Sequence, residues 1–566
     1  MQFVRVRLLA LAGCMFCLAT AWTVLEMRMS GRGAQSVLGA LACIVPLLAG
    51  LGCGGLALLP DRLWRVAYWV ARSWLDRLAE VTSPISTPLA ISLMFLAGAA
   101  FLLIAGHLGP MQVLANNSDQ NAYLQTAEEI QQDGGPLRLV GSLTTGRFSE
   151  ANRHPLYLAL LSLWPTPLGG QLLSVAFGLA AIWGLAPLVI RKFGASVTAV
   201  YCTLLATNFA CCYASTLVMC ESLMVLLATA GWLWFGLPET NSPISPRREV
   251  QSRFGSGCWW GTLYLTKGTG LLWLVGYCCW LVVTGARRSL QTPLGLSQGL
   301  NGYCTTGSDR SSSAKAVEPP AQGRGRVLCA KCVAHPVVTA WRDWTGSHSK
   351  DGSATPIQTR LRSTVISLAL VVAGWAFISS PLLVRNGLRF GSLTYNVNSW
   401  LLFVDEFKDP MALAETMSLG EAARQYWQSH SFRQIAERGA MGLVWETFIL
   451  IRSLGPAPLG ESRVLFGAPL LGLAVLGLLT ERRVNTLLLP IWLAICLPVF
   501  GWYVPVAAGE RFILPLVPPL LVFASIGIVR LARLRQRERS SLVIAGGCFA
   551  WLIVWTALTL RLSELS

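Results

Sequence analysis

Charge is scarce in this chain: of 566 residues only 13% are Asp, Glu, Lys or Arg, and five are histidines. With 53% hydrophobic residues and a mean hydropathy of +0.53, that scarcity excludes a water-soluble globular domain. Acidic residues are the rarer sign, 28 against 45 basic, giving a net charge of +17. The arginines are scattered at the ends of apolar runs and form no basic domain, which argues against a nucleic-acid binder and fits a positive-inside bias. Period-two alternation is also missing, which excludes a β-barrel and leaves helices. A disulfide framework is absent as well, because 13 of the 16 cysteines, Cys211, Cys212, Cys278 and Cys279 among them, fall inside apolar runs. No internal repeat is visible.

What is present is a series of about twelve or thirteen hydrophobic segments, many long enough to cross about 30 Å of hydrocarbon. The predicted fold class is an all-α polytopic membrane protein. Segments 7–27 and 36–59 form an N-terminal hairpin, and 61–82, where Trp64, Trp69 and Trp74 interleave with arginines, reads as an interfacial amphipathic helix. Together they make a region 1–85. Arg5 and Arg7 ahead of the first run predict an uncleaved anchor. A membrane core over 86–288 contains 88–109, a first external loop 111–154, and segments 169–190, 195–214 and 217–236. The run 257–284 is interrupted at Thr266-Lys267-Gly268 and has basic flanks on both sides, so two half-length helices returning to one face are expected.

Residues 289–360 are rich in Ser, Gly, Pro and Arg, the composition of a flexible cytoplasmic insert. Cys329, Cys332 and His335 inside it lack a fourth ligand and a second knuckle, and read as a chance spacing. The C-terminal membrane region 361–566 has segments at 363–384, 464–480, 486–505, 513–531 and 541–560, an external loop 386–440, and a membrane-associated stretch at 440–457 that carries Glu446 and Arg452. The charge pattern brings at least four of Asp119, Glu221, Lys267, Arg385 and Arg511 to the external face. Ionisable groups at membrane depth are costly, so such a set is read as a functional site. Asp119, Tyr123, Ala127 and Ile130 recur at helical spacing, with Asp119 in the first turn.

Several motifs resemble the GT-C glycosyltransferases, in particular the dolichyl-phosphate-mannose protein mannosyltransferase and aminoarabinose transferase (ArnT-like) group. They are Asp119-x3-Tyr123-x3-Ala127, His154-Pro155-Leu156-Tyr157, Cys220-Glu221-Ser222-Leu223, Gly261-x4-Thr266-Lys267-Gly268, Pro381-x3-Arg385-Asn386-x4-Gly391 and Glu510-Arg511-Phe512-x2-Pro515-x2-Pro518. They occur in the family's order across roughly residues 85–530. The chain departs from the family at Gln120, where an Asp-Glu pair is common, so two adjacent carboxylates are not implied.

The resemblance implies transfer of a sugar from a polyprenyl-phosphate donor to a lipid, glycan or protein acceptor on the periplasmic or other extracytoplasmic side of a bilayer, with the inner membrane of a bacterium as the expected setting. It implies Asp119 as the catalytic base, Lys267, Arg385 and Arg511 as the donor-phosphate ligands, and Tyr123, His154, Glu221, Asn386 and Glu510 as site support. No cofactor is demanded, although the carboxylates permit a divalent metal ion. The rival readings are an undecaprenyl-linked glycan polymerase or ligase, a transporter or flippase, and a noncatalytic scaffold. The acidic trio Asp405, Glu406 and Asp409 reads as loop surface.

Overall fold

Apolar residues on all sides of a helix suit burial in lipid, and ten helical stretches among the described residues are predominantly apolar. In the computed structural model, residues 85–113, 118–237, 246–290, 356–456, 460–481, 486–507, 509–535 and 539–562 are described. Apart from one isolated bridge between Asn208 and Pro456, every regular element among them is helical.

In chain order these are α1 (Thr87–Val113), α2 (Ser118–Gln132), α3 (Gly135–Thr144), α4 (Pro155–Leu161), α5 (Pro167–Leu179), α6 (Ala186–Phe193), α7 (Ala195–Ala206), α8 (Phe209–Ala214), α9 (Glu221–Gly231), α10 (Pro246–Thr266) and α11 (Gly270–Leu290). Then follow α12 (Pro356–Phe390), α13 (Pro410–Thr416), α14 (Leu419–Ser429), α15 (Phe432–Leu454), α16 (Val464–Thr480), α17 (Leu488–Tyr503), α18 (Glu510–Ile513), α19 (Val517–Arg535) and α20 (Ser540–Leu562). Five helical stretches are long and apolar enough to cross a membrane: Thr87–Gly109, Pro167–Phe193, Arg362–Phe390, Glu510–Leu534 and Ser540–Arg561. Five shorter apolar helices accompany them. Phe95, Leu103, Phe377 and Ile553 point outward as freely as their neighbours point inward, the pattern of a helix bundle solvated by lipid. The chain is an all-α integral membrane protein.

The run around Lys267 differs from its expected form. Two 21-residue helices, α10 and α11, replace the two half-length ones, because the basic flank from Pro246 onward is itself helical and lengthens the first. They still fold back on each other, Trp260 meeting Tyr277 at 5.5 Å between ring centroids. Helix α11 extends to Leu290 and α12 begins at Pro356, so both margins of the expected insert 289–360 are helical. The stretch expected at 440–457 begins earlier, as α15, and its Glu446 is buried. The N-terminal hairpin, the helix 61–82, and Cys329, Cys332 and His335 lie outside the described residues.

The helix α19 spans between two charged ends. At its far end Arg530 donates to Glu481 at 2.8 Å, and both side chains are buried. At its near end, α18 and a 3-10 turn at Leu514–Leu516 lead into it, the turn placed where Pro515 lacks an N–H to give. Nine cysteines among the described residues are free thiols.

Candidate active site

Helix α2 buries Tyr123, Ala127 and Ile130 against Leu139, Leu143, Tyr157, Val218 and Leu382. This stripe fixes the rotation of the helix and leaves Asp119 in its first turn facing outward from that cluster. Gln120, the departure from the family pattern, is buried, and its Oε1 accepts a hydrogen bond from the Val218 N–H at 2.8 Å. It ties α2 to the turn before α9, where Glu221 opens that helix at its positive end.

Four charged side chains from distant parts of the sequence meet in one cavity of about 430 Å³. Arg511 donates to Asp119 Oδ2 at 2.8 Å across 392 residues of sequence. Lys267, in the turn joining α10 and α11, donates to Glu221 Oε1 at 2.9 Å. The two pairs differ in environment: the Asp119 and Arg511 side chains are each 42% exposed, whereas Glu221 is 4% exposed. Phe512 stands beside both cations, its ring centre 5.3 Å from Lys267 Nζ and 5.2 Å from the Arg511 guanidinium.

His154 and Tyr123 complete the polar lining. Burial, helped by the nearby charges of Arg385 and Lys267 and opposed by the Tyr264 backbone, lowers the His154 imidazole from its usual value to about 4. It is therefore neutral at pH 7. Burial raises the Tyr123 phenol, whose hydroxyl donates to Cys220 Sγ at 3.3 Å, so it stays protonated. Space is tight beside this group. A methyl on Gly268 would lie 2.7 Å from Asn396 Nδ2 and 3.0 Å from His154 Nε2.

Three of the expected residues do not line the cavity. Arg385 is buried behind it, donating to the Glu150 carbonyl and lying over Phe148 and Phe390. It holds the strap 148–154 that carries His154. Asn386 donates to the Leu393 and Tyr395 carbonyls at 3.2 and 3.3 Å and turns the chain back over the end of α12, where Gly391 takes φ +70°. Glu510 receives Arg452 at 2.9 Å and Arg463 at 2.7 Å, clamping α18 to α15. Each sits in a matching motif, but each has a structural partner.

Sequence reasoning missed Arg153, Asn152, Asn396, Asn398 and Tyr503, all of which line the cavity. Arg153 pairs with Glu150 at 3.0 Å and lies over the Tyr123 ring at 5.5 Å, and its place directly before His154 was the available signal. Asn398 donates to Asn152 at 2.6 Å, joining the stretch before α4 to the one after α12. Asp405, Glu406 and Asp409 are exposed, as expected of loop surface, and Asp405 also pairs with His430 at 3.0 Å and Arg438 at 3.3 Å. Among the described residues no three of His, Cys, Asp and Glu gather as metal ligands, and Asp119 and Glu221 each face a cation instead. That donor set does not fit a divalent ion.

No family model matches the sequence, and no curated protein matches it. One solved structure is similar. It is the apo-state crystal structure of ArnT from Cupriavidus metallidurans, 14% identical, with 80% of this chain and 83% of that chain covered and a TM-score of 0.27. At that identity and score the likeness carries no argument about the site, whose chemistry rests on the residues described above.

Proposed function

We propose that this chain is a membrane glycosyltransferase that moves a sugar from a polyprenyl-phosphate donor to a hydroxyl-bearing acceptor at the extracytoplasmic face. The observation that carries the reading is the meeting of Asp119, Glu221, Lys267 and Arg511 in one cavity beside a neutral imidazole. The motifs that resemble the GT-C enzymes supply most of these residues. Leu272, Leu401, Leu402 and Phe500 also line the cavity and provide an apolar surface for the first isoprene units of a donor.

The chemistry needs a base on one side of the sugar and fixed positive charge on the other. Asp119 accepts the acceptor hydroxyl's proton as its oxygen bonds to the anomeric carbon. The bond from that carbon to the phosphate oxygen breaks, and its electron pair leaves with the polyprenyl phosphate. Arg511 and Lys267 stabilise the charge that develops there, the arginine as a fork and the lysine as a point charge. A single displacement inverts the anomeric centre. His154, neutral, can hydrogen-bond to sugar or phosphate without adding charge.

Reconstituted protein given radiolabelled polyprenyl-phosphate sugars and membrane extract should form a new glycoside. Asp119→Asn should lower that rate by about 10² to 10⁴, the usual contribution of a positioned base. Movement of intact donor across the bilayer with no glycoside formed, unaffected by the substitution, would refute the reading in favour of a flippase.

A further inference from the structure

Both carboxylates in the cavity are engaged by the cations that a phosphate would need. Asp119 Oδ2 accepts a hydrogen bond from Arg511 at 2.8 Å. Lys267 is held by Glu221 Oε1 at 2.9 Å, while Glu221 Oε2 is buried without a hydrogen-bond partner. Both cations line the same cavity and both lie close to the Phe512 ring, at 5.3 and 5.2 Å from its centre. Phosphate oxygens and carboxylate oxygens compete for the same N–H groups with similar geometry.

We propose that the donor phosphate enters by ion-pair exchange: it takes Arg511 and Lys267 from Asp119 and Glu221, and thereby releases Asp119 Oδ2 to act as the base. The inference rests on the donor reading given above and adds an order to it. Without donor the base is masked and an acceptor hydroxyl is not activated. With donor the cations leave the carboxylate. As the anomeric bond breaks, the phosphate changes from a singly charged diester to a monoester of about −2, and its hold on both cations tightens. When the polyprenyl phosphate departs and Asp119 passes the acceptor's proton to water, the carboxylates recapture the cations and the site resets.

The exchange makes an unusual demand on the base variant: Asp119→Asn removes a competitor and should bind the phosphate more tightly while losing transfer. The probe is a short-chain polyprenyl monophosphate titrated into detergent-solubilised protein, with the corresponding prenol as control. Asp119→Asn is nearly isosteric at a half-exposed position, and its affinity for the monophosphate should rise about fivefold, the scale of a half-exposed ion pair. Prenol binding should not change, and Arg511→Gln should weaken the monophosphate only. Phosphate-dependent binding that Asp119→Asn leaves unchanged or weakens overturns the exchange and leaves the donor reading standing. Equal binding of prenol and monophosphate in the wild type and all variants overturns both.

Discussion

Lys267 Nζ lies 2.9 Å from Glu221 Oε1, joining the turn between two helices to the first residue of a third. The glutamate is almost fully enclosed and the lysine is not, so the pair forms the floor of the cavity, with its cation toward the opening. Removing the cation leaves a buried carboxylate without compensation. Lys267→Met should therefore destabilise the protein by about 3 kcal/mol, and Lys267→Met combined with Glu221→Gln should recover part of that loss. Unfolding in detergent with a denaturant series measures both. Lys267→Met as stable as the wild type would show that the pair does not brace the floor.

Glu510 and Arg511 are sequence neighbours with opposite duties. Glu510 serves two arginines of α15 and of the turn before α16, whereas Arg511 faces the cavity. Glu510→Gln should lower stability by about 2–4 kcal/mol, since two partly buried guanidinium groups lose their shared carboxylate. The turnover of the fraction that remains folded should stay within about twofold of wild type, because no interaction with the transition state is lost. Arg511→Gln should show the reverse, a modest stability change and a large loss of rate. Comparing melting curves with turnover per folded molecule tests the division, and equal rate losses in both variants would contradict it.

The convergence of Asp119, Glu221, Lys267 and Arg511 was legible because membrane-depth charges are rare and the positive-inside pattern sorts helix ends. The helical stripe of Tyr123, Ala127 and Ile130 was legible for the same kind of reason, a period that burial enforces. Arg385, Asn386 and Glu510 misled because a motif records which residues occur together, not which of them face the ligand. Whether a guanidinium reaches a cavity or a carbonyl behind it depends on rotamer and packing, and neither has a sequence period. The lengths of α10 and α11 were misjudged because hydropathy marks where lipid begins, while the hydrogen-bond ladder continues through a basic flank. Asn396 and Asn398 were invisible because their loop has no periodicity that aims a side chain.

The imidazole of His154 gives the fold an acid sensitivity of known sign. Its value falls from 6.5 to about 4 on folding, so between those limits the unfolded chain binds the extra proton and the folded one does not. The stabilising contribution is complete above about pH 6.5 and is lost as pH falls toward 4, amounting to ~3 kcal/mol at the bottom of the window. His154→Gln should flatten the dependence of melting temperature on pH across that window and leave it unaltered above neutrality. An unchanged acid slope in the variant would place the sensitivity on another group.

At Gly268 the lysine turn lies against both the histidine strap and the stretch that carries Asn396. An alanine there would drive its methyl into Asn396 Nδ2 and against His154 Nε2. Neither neighbour can retreat freely. Asn396 caps a 3-10 helix, Val397–Phe403, by accepting from the Asn398 N–H at 3.1 Å, and His154 is packed edge-on to Tyr264 at 5.1 Å. The accommodation must then come from the turn that carries Lys267, displacing a cation proposed to meet the donor phosphate. Gly268→Ala should cut sugar transfer by about 10- to 100-fold through misplacement alone, with the melting temperature lowered by only a few degrees. Shortening the obstacle, in Gly268→Ala with Asn396→Ser, keeps a capping oxygen and makes room, so part of the rate should return. A double variant no faster than Gly268→Ala would locate the damage at His154 rather than at the loop.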